Sequence, residues 1–330
     1  MKAIIPMAGS GTRLRPFTWS KPKALLRVGS KPIISHIVES LLPLGCDTLV
    51  LVIGREGEDI PRFIRERYPG VNTEVVVQEE RLGLGHAVSL AAEKAAGGEL
   101  VVMYGDTVID GDLSSILETD ADGIIAVKRV EDPRRFGVVN VRRGFITRFV
   151  EKPAVTKSNL AIVGFNYFRN PGMLFECLGE LIHSGKRTKG EFQITDAFQL
   201  MLGRGAAFQP LVVDGWYDCG TPESLLETNR FLLAKDGRIP ESGDSIFIPP
   251  VFIPSNAEIT RSIIGPNVSV GDGAVIDRSL ISDSIIGANA RVVGASLAGS
   301  LVGDNAEIIE RPRRLSVGDN SSLDFEMSGL

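Results

Sequence analysis

Histidine and cysteine are scarce in this chain of 330 residues, with three of each. Cys46, Cys177 and Cys219 are odd in number and far apart, which suggests neither a disulfide framework nor a zinc site. The histidines are His36, His86 and His183, so residues 246–330 contain none. No apolar run approaches the ~18 residues that a membrane span needs. The N-terminus lacks the charged-then-apolar layout of a secretory leader and runs straight into a strand pattern. Basic residues are not in surplus: 36 Lys and Arg face 41 Asp and Glu, a net charge of −5. A nucleic-acid-binding domain usually carries a basic excess or stripe. The expectation is therefore a cytoplasmic protein with neither a nucleic-acid nor a membrane partner.

What is present is ordinary globular material, 43% hydrophobic and 23% charged, with length enough for two domains. Ala3–Pro6, Thr48–Ile53, Glu74–Gln78 and Glu99–Tyr104 are short runs rich in Val and Ile. Helix-length amphipathic stretches separate them, over Ile33–Leu44, Glu58–Tyr68 and Leu84–Ala96. Alternating strands and helices predict βαβ units on a parallel sheet, with ligands at the carboxyl ends of the strands.

From about residue 239 the pattern changes. "SVGDGA", "IIGANA", "LVGDNA" and "SVGDNS" recur, with Gly271, Gly287, Gly303 and Gly318 at intervals of 16, 16 and 15. Aliphatics return every five or six residues: Ile259, Ile264, Val270, Ile276, Ile281, Ile286, Val292, Leu297, Val302, Ile308. That rhythm predicts a parallel β-helix with one inward aliphatic per short face, and a sandwich of short strands is the competing architecture. "DGRIPESGD", Asp236–Asp244, reads as the linker. The expected domains are 1–238 and 239–330.

Glycine and cation gather in "PMAGSGTRLRPFTWSKPKALL", Pro6–Leu26, which carries Arg13, Arg15, Lys21 and Lys23. The stretch lacks the G-x-x-x-x-G-K-[ST] of a P-loop, and Leu14 stands where a dinucleotide fingerprint needs its third glycine. What remains is G-x-G-T-R. Backbone N–H groups over Gly9, Ser10, Gly11 and Thr12, with Ala8 before them, can wrap a triphosphate that Arg13 and Lys23 neutralise.

The longer stretch "GSGTRLRPFTWSKPKALLRVGSKPI" resembles the signature of the sugar-1-phosphate nucleotidyltransferases, with Arg27 where that family usually has proline. "QEERLGLGHAV", "YGDT", "RFGVV", "VEKP", "KGEFQITDA" and "GWYDCGTPESLLETN" follow in family order, and the resemblance covers about residues 1–235. It is most similar to the longer glucose-1-phosphate thymidylyltransferases. The resemblance implies a Rossmann-like, mostly parallel α/β domain followed by a short left-handed β-helix. Two further departures are "GDT" for the commoner G-D-N, and Lys189 where arginine usually precedes G-E; lysine keeps the charge but loses bidentate geometry.

The implied reaction has a sugar 1-phosphate oxygen attack the α-phosphorus of a nucleoside triphosphate, releasing pyrophosphate by alignment and charge neutralisation. The resemblance makes Asp106 and Asp218 the ligands of Mg²⁺. It places Arg13 on the leaving pyrophosphate, Lys23 on the α-phosphate, and Lys152 on the sugar phosphate with Lys189 assisting. Glu151 would accept sugar hydroxyls, and Gly137 and Gly164 would let the sugar approach the backbone. Gln78 has donors and an acceptor for a pyrimidine edge, with Gly83 beside it. His86 is read as a packing or capping residue. The partners expected are dTTP and glucose 1-phosphate; UTP is the nearest alternative, and GTP with mannose 1-phosphate a third. Acetyl transfer in the β-helix is not expected, because hexapeptide acyltransferases commonly use a histidine base. A non-catalytic sugar-nucleotide sensor would have lost some of these residues. The exposed edges and ends of a short solenoid favour packing on the catalytic domain or on another subunit, and a homo-oligomer is expected.

Overall fold

The structure, a computed structural model, describes residues 1–155, 158–237 and 243–322. Residues 238–242, at the centre of the expected linker, and the tail from 323 lie outside the described residues. The amino-terminal part is built on one large sheet. Lys2–Pro6 lies at its centre, parallel to Thr48–Ile53 and to Leu100–Met103, and Asn72–Val77 adds a parallel edge. Each of these strands falls within two residues of its expected place, and the expected helices form as Ile33–Leu41, Asp59–Arg67 and Leu84–Leu90.

Both faces of this sheet are covered, which is why its strands read as unbroken aliphatic runs. Side chains alternate between two cores with the strand's period of two. Ala3, Ile5, Leu49, Leu51 and Ile53 point to the side where Ile33, Ile34, Ile37 and Leu41 pack. Ile4, Val50 and Val52 meet Ala87, Val88, Cys177, Leu178 and Phe198 on the other.

The sheet is mixed beyond that centre. Leu160–Phe168 pairs antiparallel with both Leu100–Met103 and Gly123–Arg129, and the hairpin Gly137–Arg142/Phe145–Glu151 extends the edge. A separate ribbon of Thr107–Asp110 and Gly215–Asp218 runs antiparallel, aligning Asp218 with Thr107. The Pro222–Asp236 helix starts on a capping box: Thr221 Oγ1 accepts from Ser224 N–H at 3.2 Å, and the Thr221 N–H donates back to Ser224 Oγ at 3.0 Å.

From Ile246 the chain coils into three parallel sheets of four short strands each. Successive coils pair at offsets such as Ile246 with Ile263 and Leu280 with Ser296, the slight irregularity that the glycine spacing carries. Each predicted inward aliphatic packs in this core, Ile259, Leu297 and Ile308 only in part. The recurring glycine has a steric cause. A Cβ at Gly271 would collide with Ala288 N, and one at Gly287 with the Gly303 carbonyl carbon, so coils stack there backbone on backbone. The fourth repeat, "SVGDNS", forms no rung; Glu307–Ile309 is the last strand among the described residues, and the polar run Arg311–Arg314 with Pro312 supplies no inward aliphatic.

Serines line another corner. Ser245 Oγ accepts from Ser262 N–H at 3.1 Å, Ser262 Oγ from Ser279 N–H at 3.0 Å, and Ser279 Oγ from Ala295 N–H at 3.2 Å. Replacing Ser279 with alanine strands the buried Ala295 N–H, and stability should fall by about 1–3 kcal/mol in urea unfolding. An unchanged midpoint would show the column to be dispensable.

Candidate active site

The glycine-rich turn leaves the first strand at Pro6, where that strand's carboxyl end opens. Gly11 adopts φ +59°, which turns the chain into the one-turn helix Thr12–Leu14 and keeps Arg13 exposed. Gly9, Gly11, Thr12, Arg13, Lys23, Asp106 and Gly220 line one cavity of about 330 Å³. Ala8, Gly9 and Ser10 also line its neighbour on the Arg81 side.

The two distant aspartates converge. Asp106 precedes the ribbon strand Thr107–Asp110, and its carbonyl accepts the N–H of Cys219 at 2.9 Å; Asp218 ends the partner strand. Lys23 Nζ donates to Asp106 Oδ2 at 2.7 Å. A Cβ at Gly220 would lie 2.7 Å from an Arg13 guanidinium nitrogen and 2.8 Å from Asp218 Oδ1, so glycine there lets cation and carboxylate close in. Burial pushes the Asp218 carboxyl up, and the like charge of Asp106 adds to this against Lys23 and Arg13.

Arg13, Asp106 and Asp218 also line a second cavity of about 240 Å³, together with Gly137, Glu151 and Lys152. A Cβ at Gly137 would stand 2.9 Å from both Glu151 Oε2 and Thr195 Oγ1. Burial raises the Glu151 carboxyl, partly offset by the Thr195 hydroxyl and the Lys152 charge. Lys152 Nζ lies 3.6 Å from Glu151 Oε1. Lys152 and Lys189 meet Arg13 and Asp218 around a third opening. Both lysines hold left-handed backbone, at φ +41° and +56°. Such geometry is uncommon for non-glycine residues and concentrates at functional sites.

Two expected residues sit differently. Gly164 does not line the Glu151–Lys152 cavity; at φ +94° it makes room for Tyr104, whose ring carbon would be 2.6 Å from a Cβ. Gln78 is buried apart from these cavities, its Nε2 3.3 Å from the Gly83 carbonyl and 3.0 Å from His86 Nδ1. His86 thus holds Gln78 in addition to any packing role. Burial lowers its pKa, so the neutral ring can accept from the amide.

Sequence reasoning missed Tyr104, Arg135, Thr195 and Trp216, which line the Glu151–Lys152 cavity. All four lie within the quoted motifs, beside the charged residues that drew notice. The Trp216 ring meets Phe136 edge-on at 4.7 Å, and its buried Nε1–H has no partner among the described residues.

No nucleophile–base pair appears in this arrangement. Cys219, buried behind Asp218, has its thiol pushed up to about 12, which suits packing and not attack. Among the described residues no group of three or more His, Cys, Asp or Glu side chains could enclose a metal ion. Two facing carboxylates in an open cavity nevertheless fit Mg²⁺, which commonly takes one or two carboxylates and completes its shell with water and phosphate oxygens.

Residues 2–235 match the nucleotidyl transferase family. The chain belongs to that family. This nucleotidyltransferase is 31% identical, over 99% of its length and 100% of the relative's, to a glucose-1-phosphate thymidylyltransferase of Streptomyces antibioticus. It is 35% identical to a UTP–glucose-1-phosphate uridylyltransferase of Haloferax volcanii, covering 70% of this chain and 96% of that one. Among solved structures, a Bacillus anthracis protein assigned as a glucose-1-phosphate thymidylyltransferase superposes with TM-score 0.63 at 30% identity, over 73% of this chain and 98% of that one. The enzyme is a sugar-1-phosphate nucleotidyltransferase. No described helix of it is long and apolar enough to cross a membrane.

Proposed function

We propose that the enzyme transfers the thymidylyl group of dTTP to glucose 1-phosphate. The observation that carries this is the meeting of Lys23, Asp106 and Asp218 between a glycine-turn cavity and a Glu151–Lys152 cavity. A triphosphate held by the Gly9–Thr12 backbone would present its α-phosphorus at that junction. Lys152, helped by Lys189, holds the sugar phosphate so that its oxygen faces that phosphorus. The new P–O bond forms as the α–β bridging bond breaks, and the electron pair leaves with pyrophosphate, steadied by Arg13. Lys23 neutralises charge growing on the α-phosphate. Mg²⁺ on Asp106 and Asp218 would supply further neutralisation of phosphate charge. Glu151 is an acceptor for sugar hydroxyls.

Thymidine is favoured because the thymidylyltransferase relative matches through the β-helix, whereas the uridylyltransferase relative covers less of the chain. UTP is the second reading, since one methyl in an apolar pocket contributes only ~1–3 kcal/mol of discrimination. Four triphosphates assayed against three hexose 1-phosphates for kcat/KM test both. A tenfold lead for UTP, ~1.4 kcal/mol, would overturn thymidine, and no pyrophosphate from any pair would overturn the reaction. We further propose cytoplasmic residence, division into domains 1–238 and 239–330, and homo-oligomer formation, which sedimentation of the full chain would reveal.

A further inference from the structure

The β-helix docks on the segment that carries Lys23. Its corner at the repeated "GD" has Asp272 on one coil, Ala288 on the next and Asp304 on the third. Asp272 accepts from the Arg27 guanidinium, and Asp304 accepts from Lys21 Nζ. Asp304 is itself tethered, its other oxygen accepting the Ala288 N–H at 3.0 Å. Arg27 also donates to the Ser30 carbonyl at 2.7 Å and lies over the Phe252 ring, 5.7 Å from its centroid. Phe17 of the same signature lies beside Gly303, where a Cβ would stand 3.6 Å from its ring. Arg27 is the position where the family usually has proline.

We infer that Asp272 and Asp304 are positioning residues for catalysis, clamping both ends of the Lys21–Arg27 segment so that Lys23 is held against Asp106. This rests on the role given to Lys23 above. Stability is not the main product of these contacts. Asp272 is 57% and Asp304 33% exposed, and ion pairs at such sites contribute little to folding. Geometry is different: two anchors on rungs about 10 Å apart define the path of the chain between them. Small displacements of a catalytic group cost orders of magnitude in rate.

The test is the full-length double variant Asp272→Asn/Asp304→Asn, assayed with the fastest substrate pair from the panel. Its kcat should fall about tenfold, with KM for both substrates within about twofold and an unaltered melting temperature. Asp283→Asn breaks a comparable ion pair of the same interface, Asp283 with Arg230 at 2.7 Å, without touching the signature segment. It should leave kcat unchanged. The charge swap Arg27→Asp/Asp272→Arg should recover kcat lost in Asp272→Arg alone, which guards against a folding artefact. A fall of less than about threefold in the double variant, an equal fall in Asp283→Asn, or no recovery in the swap would overturn the clamp. Lys23→Ala separates the two readings. If it stays active, the assignment of Lys23 has failed; if it is inactive while the double variant is normal, only the clamp has.

Discussion

Replacing Asp106 or Asp218 with alanine should lower kcat by about a thousandfold, read as pyrophosphate release at saturating substrates. The size follows from what each carboxylate holds. Removing one preorganised charge-stabilising group costs ~10²–10³ in rate, and losing a ligand of a two-carboxylate metal site adds to this. Asp106→Ala would also leave Lys23, whose side chain is only 15% exposed, without its 2.7 Å partner. The acid limb of the pH profile carries a second signature. In the proposed mechanism Asp218 must be ionised to hold Mg²⁺, and burial beside Asp106 raises its pKa. Activity should therefore fall on acidification from a pH above the usual carboxylate range, and excess Mg²⁺ should move that limb downward. If both alanine variants turn over at the wild-type rate, the catalytic reading is wrong.

Asn229→Leu should be the largest stability loss, about 3 kcal/mol or more. Asn229 is fully buried at the end of "GTPESLLETN" and ties three parts of the molecule together. Its Oδ1 accepts from the Gly29 N–H at 2.8 Å and from Ser269 Oγ at 2.6 Å, and its Nδ2 donates to the Asn267 carbonyl at 3.1 Å. Leucine fills similar volume but strands the buried Gly29 N–H and Ser269 hydroxyl, each costing ~1–3 kcal/mol, and the half-buried Asn267 carbonyl besides. Chemical denaturation reads the loss directly. A variant within about 1 kcal/mol of wild type would mean that water satisfies these groups and that the pin is not structural.

The legible parts of this protein were those with a local period. Thr48–Ile53 forms over its predicted span because six consecutive aliphatic or β-branched residues suit a strand buried on both faces. The coils after Ile246 were readable because each rung repeats one inward aliphatic and one stacked glycine. The repeat at Ser316 misled: its glycine motif is intact, but the charged run before it gives the coil nothing to bury. At the site, Arg135, Thr195, Tyr104 and Trp216 were overlooked inside motifs whose other residues were found. Thr195, Tyr104 and Trp216 carry no signal apart from the cavity they line. Gly164 looked like a point of sugar approach, yet its freedom accommodates Tyr104.

By itself, then, the sequence determined the alternating strands and helices, the coil period and the inventory of cations in the glycine-rich segment. These depend on neighbours a few residues away. Only the tertiary structure decided that Asp106 and Asp218 share one ribbon end and that Asp272 and Asp304 grip Lys21 and Arg27. Those contacts join residues more than a hundred positions apart, and no periodicity in a single chain specifies which distant carboxylate a cation will meet.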